Sequence, residues 1–195
     1  MKKALLKVGY ACNSNCVFCH SSPLRRHADL STKELENRIE SAARRGAEMI
    51  IFSGGEPTIR RDIVELVKAA HGRGLKTGLI TNGRRFVYPA FGEALSALGL
   101  VFAYVSFHSH LPRTHDLTTR TQSFPQTLAA LRNLAKLKMD LIVNTIVTRR
   151  NISHLSAVVD LLAAHKPAKI KCSVVEPKGA ALEDLAVCPP LSAAA

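Results

Sequence analysis

Three cysteines fall within eight residues, Cys12, Cys16 and Cys19, in the run Cys-Asn-Ser-Asn-Cys-Val-Phe-Cys-His. Thiolates at such spacing have three readings. Buried inert thiols do not suit a segment carrying Asn13, Ser14 and Asn15, which is turn chemistry rather than core. A structural zinc ion takes four ligands. His20 is the fourth candidate, but it adjoins Cys19 and cramps a tetrahedron. An iron–sulfur cluster is also held by thiolates. Three of them leave one iron of a four-iron cubane without a protein ligand, and an open metal position is what reactive sites keep.

Further unusual residues recur at regular intervals: Ser53-Gly54-Gly55-Glu56-Pro57, Thr81-Asn82-Gly83, Ser106 with His108, and Asn144. Each follows or lies within an apolar run of strand character. The runs cover 4–11, 49–54, 76–82, 101–108, 141–148 and 169–176. Between them lie amphipathic helical stretches. The first opens on a capping-box-like Ser31-Thr32-Lys33-Glu34 and is expected to stop at Gly46. Others cover about 60–72, 88–97, 125–137 and 152–165. Six strands, each but the last followed by a helix, predict an α/β domain of parallel β/α units. Eight units would close a barrel, so six predict a partial, open (β/α)6 barrel. A flat doubly wound sheet is the alternative. In either, ligands bind at the carboxyl ends of the strands, where the cysteines and the other motifs lie.

The chain has 195 residues, and no repeat or linker interrupts it. The expected division is a core over 1–177 and a weakly structured tail over 178–195. No apolar run is long enough for a membrane span, and Lys7 interrupts a start that looks briefly like a lipoprotein signal. Five cysteines make an odd number and argue against a disulfide framework, which fits a reducing cytoplasm. The net charge of +12 includes five Arg-Arg pairs spread along the chain. They read as a solvated basic surface rather than a nucleic-acid face, because aromatic residues for base stacking are scarce.

Cys12-x3-Cys16-x2-Cys19 with Phe18 before the last cysteine, Gly54-Gly55-Glu56-Pro57 and Thr81-Asn82-Gly83 together resemble the radical S-adenosylmethionine enzymes. The likeness is to the branch holding the molybdenum-cofactor cyclase and the peptide-modifying maturases, and it covers about residues 4–177. It implies the partial barrel and a [4Fe–4S] cluster on the three cysteines, with S-adenosylmethionine chelating the open iron. It implies an electron donor such as flavodoxin or ferredoxin, and a 5′-deoxyadenosyl radical that abstracts hydrogen from substrate. By the same resemblance Phe18, Gly54, Gly55, Glu56, Thr81, Ser106 and Asn144 are cofactor-binding candidates. The glycines would let the ligand's ammonium approach the backbone, and Glu56 would accept from it. His108 takes the place of an aspartate found in relatives and is a catalytic candidate facing substrate. Arg120 is the candidate for the cosubstrate carboxylate. On the sixth strand Val175 is placed to meet adenine and Lys171 to meet substrate.

Cys172 and Cys188 read as ordinary cysteines, so the chain is either a minimal one-cluster core or a piece of a longer protein. A peptide substrate fits the branch. An RNA- or small-molecule-modifying enzyme and a non-enzymatic metal-binding module are the other classes.

Overall fold

Apolar runs that alternate with amphipathic segments bury both faces only if strands lie side by side under a layer of helices. The computed structural model describes residues 1–189 and adopts this arrangement. Its strands are β1 (Lys3–Lys7), β2 (Met49–Ser53), β3 (Lys76–Thr81), β4 (Leu100–Ser106), β5 (Asp140–Val147) and β6 (Lys169–Val174). They form one sheet in chain order, with every neighbouring pair parallel. A doubly wound sheet reverses its order at a switch point, and this one does not. It is the open (β/α)6 partial barrel.

The helices are α1 (Thr32–Arg44), α2 (Ile63–His71), α3 (Pro89–Ala97), α4 (Pro112–Thr119), α5 (Phe124–Leu134), α6 (Leu155–Ala163) and the single turn α7 (Ala180–Glu183). The start of α1 is the predicted capping box: the Ser31 hydroxyl accepts from Glu34 N, and Ser31 N donates to Glu34 Oε2 at 2.8 Å. Gly46, at φ +76°, follows its end. Leu35 and Ile39 of α1, Leu66 and Val67 of α2, and Leu131 and Leu134 of α5 bury fully with Phe52, Leu79, Val105 and Val143 of the strands.

Three features depart from the sequence reading. The strands stop short of the predicted ends, so β1 closes at Lys7 and the path from Gly9 to Ala11 is irregular. Helix α2 begins at Ile63, after a 3-10 turn over Pro57–Ile59. Helix α4 was not expected at all. Its buried residues are His115, Thr118 and Thr119, so it carries no apolar periodicity to detect. Past the sheet, α7 and a turn over Leu185–Val187 bury Ala181 and Val187 against Val17 and Val175. The rest of the predicted weak tail, 190–195, lies outside the described residues.

Candidate functional site

The cysteine loop leaves β1 and is held by backbone and by side chains from four other segments. Asn15 N and Val17 N donate to the carbonyls of Thr119 and Thr118, at 2.9 and 3.0 Å, at the end of α4. Asn82 Nδ2 donates to Asn13 Oδ1 at 2.7 Å, and Arg84 reaches the Asn13 carbonyl. Arg25 Nη2 donates to the Ser14 carbonyl at 2.7 Å and lies 3.9 Å from Cys19 Sγ. Ala180 N donates to the Cys19 carbonyl. Gly179, at φ +57°, fits beneath the loop, where a Cβ would stand 2.3 Å from that carbonyl. The arginine pairs are therefore not all solvated surface. Arg25, Arg84 and Arg85 each tie a loop, Arg85 through the Thr58 carbonyl.

The Gly54-Gly55-Glu56 turn lies against the path into Cys12. Gly55 N donates to the Gly9 carbonyl and Glu56 N to the Ala11 carbonyl, both at 2.9 Å. A Cβ on Gly54 would meet the Gly9 carbonyl oxygen at 2.1 Å, and one on Gly55 the Ala11 carbonyl oxygen at 2.2 Å. The glycines are thus required by backbone meeting backbone, as well as lining the cavity described below. Glu56 is buried and its carboxylate is fully engaged. Oε1 accepts from Thr58 N at 3.0 Å, Thr58 Oγ1 at 2.7 Å and Thr81 Oγ1 at 2.7 Å, while Oε2 accepts from Asn82 N at 2.6 Å. Burial pushes its pKa up, and these donors offset only part of that. Glu56 joins the second strand end to the third.

Across the sheet the register places Ser106 beside Asn144, and Asn144 beside Lys171. Ser173 Oγ donates to Asn144 Oδ1 at 3.0 Å. His108 lies beyond β4, buried, with Phe18 edge-on at a centroid distance of 4.9 Å. Asn151 Nδ2 fixes it by donating to the His108 carbonyl at 2.7 Å and the Ile146 carbonyl at 2.8 Å.

These segments enclose one cavity of about 380 Å³. Cys12, Cys16, Cys19 and Phe18 line it from the loop, and Gly54, Gly55, Thr81, Ser106, His108 and Asn144 from the strand ends. Seven cofactor candidates and the catalytic candidate were read from sequence; all but Glu56 are on this wall. Val175 also lines it, whereas Lys171 stands over the Tyr104 ring at 5.6 Å. Arg120 is exposed at the end of α4. Arg25, which the sequence reading passed over as half of a basic pair, lines the cavity instead. His115 and Asn151 were also missed, because isolated polar residues in an aperiodic stretch carry no local signal.

The donor set, three thiols on one cavity wall, is of the kind that holds an iron–sulfur cluster. Among the described residues no group of three or more His, Cys, Asp or Glu is placed to hold a single metal ion, yet three thiols border one volume. Burial, then the neighbouring thiols, push Cys16 up to about 12, and burial raises Cys12. A coordinating metal removes such protons outright.

The family model described as Radical SAM superfamily matches residues 6–162. The AdoMet-dependent heme synthase of Methanosarcina barkeri is 32% identical over 153 residues, covering 77% of this chain and 44% of that protein. The mycofactocin maturase MftC of Mycobacterium tuberculosis is 31% identical over 172 residues, covering 87% of this chain and 44% of its own length. Among solved structures, Streptococcus suis SuiB bound to precursor peptide SuiA superposes with a TM-score of 0.78 at 16% identity, over 90% of this chain and 39% of that one. The chain spans less than half the length of each of these relatives. A family match that runs from the first strand to the sixth helix leaves one conclusion: this chain belongs to the Radical SAM superfamily.

Proposed function

We propose that the chain is a radical S-adenosylmethionine catalytic core in which Cys12, Cys16 and Cys19 hold a [4Fe–4S] cluster with one iron open to S-adenosylmethionine. The carrying observation is that three thiols, a backbone-defined Gly54-Gly55 wall and the ends of β4–β6 share one cavity. Bound there and reduced by a donor such as flavodoxin or ferredoxin, the cluster supplies the electron that cleaves S-adenosylmethionine to methionine and a 5′-deoxyadenosyl radical. The protein's own part is positioning and exclusion of water. Gly54 and Gly55 bring backbone to the cosubstrate, and Thr81, Ser106 and Asn144 offer polar atoms along the strand ends. Asn144 Oδ1 accepts from Ser173, which turns its amide nitrogen, without a partner among the described residues, into the group offered to a ligand. Arg25 lines the cavity and supplies positive charge beside Cys19, which makes it a candidate beside Arg120 for the cosubstrate carboxylate. Glu56 is a positioning residue that keeps the Thr81-Asn82-Gly83 turn against the Gly54-Gly55 turn.

The substrate class this reading favours is a peptide. Two of the relatives support it by name, a maturase and an enzyme bound to its precursor peptide. The open side of a six-stranded sheet admits a chain rather than only a metabolite. Anaerobic reconstitution with iron and sulfide should give about four irons per chain, and near none in the Cys12/Cys16/Cys19→Ala triple variant. The reconstituted protein should cleave S-adenosylmethionine with dithionite. Iron retained by the triple variant would place the cluster elsewhere.

A further inference from the structure

Arg25 is the one Arg or Lys on the cavity wall among the described residues. It follows the short 3-10 turn Ser22–Leu24, in the loop that leaves Cys19. Its neighbour Arg26 is exposed, whereas Arg25 is half-buried. The guanidinium is fixed on two sides. Nη1 donates to Asn15 Oδ1 at 3.1 Å, and Nη2 to the Ser14 carbonyl at 2.7 Å. Nη2 carries a second proton, and Cys19 Sγ stands 3.9 Å from that nitrogen, within a long N–H···S contact. Nε is buried without a partner among the described residues. The placement gives up one matched donor and gains a cation beside sulfur.

None of the ion pairs among the described residues involves Arg25. Glu176, the one carboxylate on the cavity wall, pairs with Lys178 at 2.5 Å. A half-buried charge without a counter-ion is costly. Arg25 therefore calls for negative charge that the side chains paired around it do not bring, and thiolates holding a cluster are such a charge. Its field also reaches the other two ligand candidates. Burial raises the Cys12 and Cys16 thiols, and the Arg25 charge pulls against it at both.

Reduction makes a cluster one charge more negative. A fixed cation and a hydrogen bond to a ligand sulfur both stabilise that added charge. We infer that Arg25, acting through Cys19 Sγ, raises the reduction potential of the cluster and so eases the electron's arrival from a one-electron donor. The inference rests on the reading that Cys12, Cys16 and Cys19 hold the cluster. It assigns Arg25 an electronic role that needs no cosubstrate, so its test leaves S-adenosylmethionine out.

The anaerobically reconstituted full chain is titrated potentiometrically, with the reduced cluster read by EPR and iron content measured on the same samples. Arg25→Met keeps the length and removes the charge. It should lower the reduced-to-oxidised ratio at fixed potential roughly tenfold, a midpoint more negative by about 59 mV for one electron. Arg25→Lys keeps the charge and should stay nearer the wild-type midpoint. An unchanged or more positive midpoint in Arg25→Met with full iron overturns the inference, and so does a larger shift in Arg25→Lys than in Arg25→Met. A measurement on the unaltered sequence covers the case in which the variants take up no iron. Pulsed EPR of the reduced cluster, in chain grown on guanidino-15N-labelled arginine, should show a 15N hyperfine coupling. A loaded wild type without that coupling overturns the inference and leaves the cluster assignment standing. A wild type that takes up no cluster overturns both.

Discussion

The two halves of the carboxyl rim are built differently. At the ends of β1, β2 and β3, most polar groups are tied to one another: Glu56 alone accepts four hydrogen bonds, and the cysteine loop is held by Asn82, Arg84 and Arg25, although Arg25 Nε and Ser22 Oγ are buried without a partner among the described residues. At the ends of β4, β5 and β6, Ser106, His108 and Asn144 line the cavity, and the Asn144 amide nitrogen has no hydrogen-bond partner among the described residues. The contrast extends to the strands. The side chains of β3 are mostly buried, and those of β6 mostly half-buried or exposed. A densely cross-tied region is rigid and suits a fixed cofactor, while a less tied, more exposed one suits a molecule that comes and goes.

The sharpest way to break this comparison is Gly55→Val. The sequence reading would have it block cosubstrate and spare the cluster, since it assigns the glycine to the ligand. The geometry sets any Cβ against the Ala11 and Tyr10 carbonyls, directly before Cys12. The variant should lose roughly 3 kcal/mol of stability, melt about 6–12 °C lower, and take up far less iron on reconstitution. Wild-type melting with normal iron uptake would mean that the first half is not the rigid one.

On the other side, Asn151→Ala strands the His108 and Ile146 carbonyls and Thr148 N in a buried place. It should cost about 2 kcal/mol, read from the urea midpoint, and leave iron uptake unchanged. Equal loss of iron would join the two halves into one unit.

A smaller effect comes with pH. The folded chain holds His115 neutral down to about 4, whereas the unfolded chain protonates it near the ordinary 6.5. The unfolded state then binds more protons between those values, so stability falls as pH drops from about 6.5 toward 4. His108 acts in the same direction. Melting temperatures across this window should decline in wild type and decline less in His115→Asn. Parallel curves would show that His115 does not supply the slope. Least of all should come from Lys171→Ala, at the exposed edge strand, which should stay within about 0.5 kcal/mol of wild type in a urea melt.

Much of the first half was readable from the chain alone. Cys12, Cys16, Cys19, Gly54, Gly55 and Thr81 stand at short fixed spacings behind apolar runs, and both signals are local. Six runs and their helices likewise predicted the sheet and its open form. Glu56 shows the limit. Its type and motif suggested an ammonium partner, but its four donors come from Thr58, Thr81 and Asn82, and Thr81 and Asn82 lie a whole β/α unit away.

Sequence by itself therefore determined which residue types stand at each strand end, because period, spacing and turn chemistry are properties of neighbours along the chain. Only the tertiary structure decided which of their polar atoms are already satisfied. Helix α4 has no apolar stripe, yet it carries the two carbonyls that hold the cysteine loop and the imidazole that stacks on His108. Hydrogen-bond satisfaction in a buried cavity depends on partners far apart in sequence. That His115 Nε2 is buried without a partner among the described residues is revealed only when everything that surrounds it is in place.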